Sequence, residues 1–227
     1  MMGSDIDTSL TTRRAFVAHC SLLALLPLAM LAAPVHAQGT RRMLLVVGDS
    51  LSAEYGIARG SGWVALLQKR IAAQKLPVQV VNASISGDTT SGGRSRLPAL
   101  LQQHKPQVVV IALGGNDALR GLPLDMTQAN LSEMARAAKA TGAKVLIAGV
   151  AMPPNYGRKY GEDFFRLFGT VSRAEGTALV PFLLAGVADA PNADELFQPD
   201  RIHPTETAQP VVLKNVWAKL APLLRKK

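Results

Sequence analysis

Five short apolar runs punctuate the chain, at Met43–Val47, Val78–Asn82, Gln107–Leu113, Lys144–Val150 and Ala178–Phe182. Segments with helical spacing separate them, such as Trp63, Leu66, Leu67 and Ile71, or Ala129, Met134 and Ala138. Continuous rather than alternating hydrophobicity means that each run is buried on both faces, which a strand achieves in a parallel sheet covered by helices on both sides. The pattern therefore predicts an α/β fold, a three-layer α/β/α sandwich around a five-stranded parallel sheet of the flavodoxin-like kind. A last helix is expected from about Thr205 to Leu224, with Val212, Val216, Leu220 and Leu223 on one face and Trp217 beside them. No internal repeat, linker or low-complexity stretch divides this region.

The first 37 residues do not share the pattern. Thr12-Arg13-Arg14-Ala15-Phe16-Val17 supplies a positive start, Ser21 to Ala33 is almost wholly apolar, and Val35-His36-Ala37 has the small-x-small form of a cleavage site. Residues 1–37 are expected to be an export signal, and 38–227 a single domain of 190 residues with room for a sizeable core. The paired arginines resemble a twin-arginine signal, which would carry a folded protein outward. An uncut membrane anchor is the competing reading of the same run, and its shortness argues against it. The expected location is periplasmic or secreted.

Composition narrows the chemistry. The one cysteine, Cys20, and two of the four histidines, His19 and His36, fall in the export segment, leaving His104 and His203 as the only histidines of the domain. Two histidines at no ligand spacing predict no metal site, and no cofactor motif is present, so the expected cofactor is none. The formal net charge of +9 is unchanged by removing the export segment. Its cations are scattered apart from Arg41-Arg42, Arg158-Lys159 and Arg225-Lys226-Lys227, and no nucleic-acid-binding signature accompanies them. A solvated surface is the expectation, with transient contact to an anionic membrane surface as the minor one.

In a sheet of this kind, functional groups gather where the strands end. The first run stops at Gly48-Asp49-Ser50, the second at Asn82-Ala83-Ser84-Ile85-Ser86-Gly87-Asp88-Thr89-Thr90, and the third at Gly114-Gly115-Asn116-Asp117. Asp200-Arg201-Ile202-His203-Pro204 precedes the final helix. Each triplet alone is ordinary turn chemistry. Ser50, however, would be a nucleophile if a base took its proton and a third group oriented that base. His203 suits the role, because Asp200, three residues earlier, can fold back onto its second ring nitrogen; His104, before Lys105-Pro106, reads as the end of a surface helix. Donors for a developing oxyanion are available from the Ser50 N–H, the Gly87 N–H and the Asn116 side-chain amide.

Gly48-Asp49-Ser50-Leu51-Ser52, Gly87, Gly115-Asn116-Asp117 and Asp200-x-x-His203 resemble, in order, the four sequence blocks of the SGNH or GDSL-type hydrolases. The stretches NASISGDTTSGG, RLPALLQQHKP, ALGGNDALRGLP, PPNYGRKY and DRIHPTETAQP are most similar to its bacterial periplasmic members with thioesterase, protease and lysophospholipase activity and to the arylesterases near them. The resemblance implies Ser50 as nucleophile, His203 as general base and then acid, Asp200 as its orienter, and Ser50, Gly87 and Asn116 as the oxyanion hole. It implies a serine esterase cleaving carboxylic or thioester bonds through an acyl-enzyme. The alternative is a non-catalytic lipid- or acyl-binding protein on the same fold. Small esters or lysophospholipids are the expected substrates, coenzyme A thioesters being cytoplasmic, and the chain is expected to act as a monomer without nucleic acid.

Two departures stand out. The last block commonly reads Asp-Gly-x-His-Pro, whereas here Arg201 replaces the glycine and brings a cation beside the site. Glu54 and Tyr55 occupy positions where the resembling enzymes vary. The segment from Ala118 to Pro123 matches a loop that lines the acyl pocket there; Leu119 and Leu122 either contact an acyl chain or pack the loop. Asp49, Asp88 and Asp117 read as turn-holding carboxylates. No Gly-x-Ser-x-Gly elbow surrounds Ser50.

Overall fold

The computed structural model describes residues 41–153 and 156–225. The expected export signal, residues 1–37, lies outside the described residues. Within them, five parallel strands form one sheet: β1 (Arg42–Gly48), β2 (Val78–Asn82), β3 (Val108–Ala112), β4 (Lys144–Ala148) and β5 (Ala178–Val180), in the spatial order β2-β1-β3-β4-β5. The register pairs Leu44 with both Val80 and Val108, and Val110 with Leu146. Leu44, Leu45, Val46 and Val47 of β1 are wholly buried, as are Val109, Val110 and Ile111 of β3. Burial on both faces is the reason that these strands read as unbroken apolar runs.

Helices α1 (Trp63–Ala73) and α7 (Gln209–Leu220) pack together on one face, and α2 (Thr90–His104), α4 (Leu124–Ala140) and α5 (Arg158–Glu175) on the other. Two short helices, α3 (Gly115–Leu119) and α6 (Ala193–Leu196), follow β3 and the loop beyond β5. On α5 the stripe Phe164, Leu167, Phe168 and Val171 is buried, each such side chain contributing about 1.5–3 kcal/mol of apolar burial. Among the described residues, no helix is long and apolar enough to cross a membrane.

β3 loses one residue at each end of its run, and three further elements fall short of their expected spans. β4 stops at Ala148; Gly149 still donates to the Val180 carbonyl and accepts from the Leu183 N–H, both at 2.8 Å, and from Val150 onward the chain walls the cleft described below. A Cβ on Gly149 would come within 2.5 Å of the Pro181 carbonyl. β5 has three residues rather than five, as an edge strand with β4 as its only neighbour. The last helix begins with a 3₁₀ turn at Glu206–Ala208, and its α-helical part ends at Leu220. Pro210 lies in its first turn, where a missing N–H costs no hydrogen bond.

The strand order decides where a ligand can bind. The chain leaves β1 toward β2 on one side and returns to β3 on the other, so the carboxyl ends of β1 and β3 border the crevice at the point where the winding reverses. Ser50 follows β1 by two residues and Asn116 follows β3 by four.

Candidate active site

A tight turn holds Ser50 just beyond β1. The Asp49 carbonyl accepts hydrogen bonds from the N–H groups of Ser52 (3.1 Å) and Ala53 (3.0 Å), and the Asp49 carboxylate accepts from Leu51 N–H at 3.0 Å. The Ser50 Oγ is thereby presented to the cleft, 2.8 Å from His203 Nε2. The other ring nitrogen, His203 Nδ1, lies 2.7 Å from Asp200 Oδ2, while Asp200 Oδ1 accepts from the N–H groups of Ile202 (2.9 Å) and His203 (3.0 Å). One carboxylate therefore closes the turn with one oxygen and orients the imidazole with the other. Partial burial opposes the Asp200 carboxylate, but the His203 and Ile202 N–H groups and the His203 ring outweigh it and hold the carboxyl below its usual range.

The turn carrying this pair sits between segments that hold one another. Gln198 N–H donates to the His203 carbonyl (2.8 Å), Arg201 N–H to the Gln198 carbonyl (2.9 Å) and Thr205 N–H to the Leu196 carbonyl (2.8 Å). Arg201 has φ +56°, in the left-handed region, which accounts for the glycine that commonly fills this place in the resembling blocks. Its side chain is 80% exposed, with a guanidinium nitrogen 3.9 Å from Asp194 at the cleft mouth. A pair so exposed contributes little. Arg201→Gly is expected to stabilise the fold by about 0.5–1 kcal/mol, the left-handed penalty less the entropy of glycine, read as a higher urea midpoint. Arg201→Ala keeps the penalty and should give no such gain.

Gly87 has φ +79°, a conformation strained for side-chain-bearing residues. Its loop is tied to β1 by the Ile85 N–H donating to the Gly48 carbonyl (3.0 Å), and the Arg120 guanidinium donates to the Gly87 carbonyl (2.8 Å). Among the described residues, neither the Gly87 N–H nor the Ser50 N–H donates to a protein acceptor. Asn116 Nδ2 donates to the Asp88 carbonyl (3.0 Å) and to Asp49 Oδ2 (3.3 Å).

Behind this front, the three aspartates hold turns. Asp117 is fully buried, accepting from Thr90 N–H at 2.8 Å and from the Thr90 hydroxyl, and so joins the start of α2 to α3. Asp88 pairs with Arg96 at 2.8 Å. Asp49 is also buried, and desolvation pushes its carboxyl up to about 7, against the pull of the Leu51 N–H and with further upward pressure from Asp88 and Asp117.

Ser50, Gly87, Asn116, His203 and Leu119 all border one cleft of about 770 Å³. Leu122 is not part of its wall; it is half-buried, and its backbone carbonyl accepts from the Tyr160 hydroxyl at 3.3 Å. His104 ends α2, away from the cleft. Sequence reasoning missed most of the apolar wall, namely Val150, Met152, Phe182, Leu184 and Phe197. The first three lie just beyond β4 and β5, so the strand-end rule that located Ser50 points to them also. Tyr55 was missed as well: its ring centroid is 4.4 Å from that of His203. No group of three or more metal-ligating side chains is gathered among the described residues.

A family model described as the GDSL-like Lipase/Acylhydrolase family matches residues 46–209, a span containing every one of these polar groups. The chain belongs to that family. This GDSL-like hydrolase is 54% identical over 187 residues to Esterase TesA of Pseudomonas aeruginosa, covering 82% of this chain and 92% of that one. It is 40% identical over 181 residues to the thioesterase 1/protease 1/lysophospholipase L1 of Escherichia coli, covering 80% and 84%. Among solved structures it is similar to TesA, with a TM-score of 0.77 at 55% identity, over 80% of this chain and 99% of that one. It is also similar to the psychrotrophic esterase EstA from Pseudoalteromonas sp. inhibited by monoethylphosphonate, with a TM-score of 0.76 at 36% identity, over 82% and 100%.

Proposed function

We propose that this GDSL-like hydrolase is a periplasmic or secreted serine esterase that cleaves carboxylic ester or thioester bonds through an acyl-enzyme on Ser50. The observation that carries the reading is the unbroken line of hydrogen bonds from Ser50 Oγ through His203 to Asp200, at 2.8 and 2.7 Å. In this mechanism His203 Nε2 takes the Ser50 proton as Oγ attacks the carbonyl carbon. Asp200 keeps the Nδ1 proton in place and stabilises the imidazolium. Negative charge developing on the carbonyl oxygen is met by the Ser50 and Gly87 N–H groups and by the Asn116 amide, whose hydrogen on the Asp88 carbonyl turns to the stronger acceptor. The tetrahedral species collapses as His203 returns the proton to the departing alkoxide or thiolate. Water, deprotonated by the same imidazole, then releases the acid.

The apolar wall of Leu119, Val150, Met152, Phe182 and Phe197 suits an acyl chain, and the names of the relatives, esterase and lysophospholipase among them, favour small esters or lysophospholipids as substrates. The sequence of residues 1–37, which reads as an export signal, supports action outside the cytoplasm. The test is hydrolysis of chromogenic esters of graded acyl length by residues 38–227, before and after treatment with an ethylphosphonate ester. Expected is hydrolysis extinguished in step with one phosphonyl adduct on the Ser50 peptide by mass spectrometry. Full activity in the adducted protein, or an adduct elsewhere, would overturn the reading.

A further inference from the structure

Tyr55 has no part in the chemistry described so far, yet its ring lies against the imidazole of His203, with centroids 4.4 Å apart and planes inclined by 40°. Three separate contacts hold it there. Glu54, at φ +59°, folds its carboxylate back onto the N–H groups of Gly60 and Gly62, both at 2.9 Å, closing the loop that carries the tyrosine. Gln198 Nε2 donates to the Tyr55 carbonyl (2.9 Å) and to the Pro204 carbonyl (3.2 Å), clasping this loop to the segment that bears His203. Glu206 accepts from the Ala58 N–H at 2.7 Å from the other side. The clasp leaves no room beside Gly56, where a Cβ would lie 2.0 Å from Gln198 Oε1. So much structure fixes an exposed aromatic residue, 50% accessible, over one ring.

An aromatic face attracts a cation within about 6 Å of its centroid. On the proposed mechanism, the imidazole of His203 accepts the serine proton and is cationic while it holds it. We infer that Tyr55 is a positioning residue for acyl transfer: its ring fixes the tilt of His203 toward Ser50 and stabilises the imidazolium that forms as Ser50 attacks. The π face lowers the energy of the charged, proton-bearing state more than that of the resting one, so its effect falls on turnover rather than on substrate binding. The phenolic hydroxyl has no role in it.

This inference rests on the proposed role of His203, and the test separates the two. Steady-state hydrolysis of a short chromogenic ester is compared for the wild type, Tyr55→Leu, Tyr55→Phe and His203→Ala. Expected for Tyr55→Leu is a kcat lower by about 3- to 30-fold, the span of a partly exposed to desolvated cation–π contact, with KM within about twofold. Tyr55→Phe should recover most of that loss. Unchanged kcat in Tyr55→Leu, an effect confined to KM, or an equal fall in Leu and Phe would each overturn the inference. Tyr55→Met, flexible and apolar without a π face, repeats the test if leucine loosens the loop. If His203→Ala retained wild-type turnover, it is the histidine base that would fail, whatever Tyr55 does.

Discussion

Ser50→Ala is expected to lower kcat/KM for a chromogenic ester by at least about 10³-fold and to leave the fold intact. The hydroxyl is the nucleophile of the acylation step in the proposed mechanism, and its side-chain partner among the described residues is the imidazole it is to be deprotonated by, so the fold does not depend on it. The rate that remains is what substrate binding and the oxyanion donors supply without a covalent step. His203→Ala should fall comparably, and the double variant should fall scarcely further, because nucleophile and base act as one unit. Turnover measured on the three variants, with unfolding midpoints alongside, checks this; wild-type hydrolysis by Ser50→Ala would remove Ser50 from the reaction.

Asn116→Ala is expected to lower kcat by about 10²- to 10³-fold, with KM nearly unchanged, as befits a donor whose main partner exists only in the transition state. In the resting geometry both side-chain hydrogens are engaged, one by the Asp88 carbonyl at 3.0 Å and one by Asp49 at 3.3 Å. Neither acceptor competes well with an oxyanion for the nearer hydrogen, since one is a neutral carbonyl and the other bond is long. Alanine also withdraws a donor from the buried Asp49 carboxyl, which is worth about 1–3 kcal/mol of stability. Chemical denaturation separates that loss from the kinetic one. A fall in kcat that tracked only the unfolded fraction would mean that Asn116 is structural.

The extent to which the molecule can be read from its sequence follows from how local each feature is. The parallel sheet was legible because β1 and β3 carry their burial in consecutive residues: Leu44 to Val47 and Val109 to Ile111 are apolar whichever neighbours they acquire. Ser50, Gly87, Asn116 and the Asp200–His203 pair, which gather at one cleft, were legible as candidates because strand ends and a tight turn advertise themselves in small and polar residues. The ends of β4 and β5 were not. Val150 and Phe182 are as apolar as the strands they follow, so the strand-end rule reaches them only once it is known where the ladder stops.

Leu119 and Leu122 illustrate the same limit, being identical residues three positions apart, yet one borders the cleft and the other does not. Tyr55 and Gln198 are separated by 143 residues, and no pattern along the chain marks an aromatic ring as the neighbour of a histidine still farther on. Arg201 is intermediate: its departure from glycine is visible in the sequence, but the left-handed backbone that makes the departure strained is visible only in the turn. Sequence alone determined the layers of the fold and the chemical types waiting at the sheet's edge, because both depend on contacts a few residues long. Tertiary structure alone decided which side chains meet, what the cleft is walled with and which carboxyl is desolvated, because those depend on loops brought together from opposite ends of the domain.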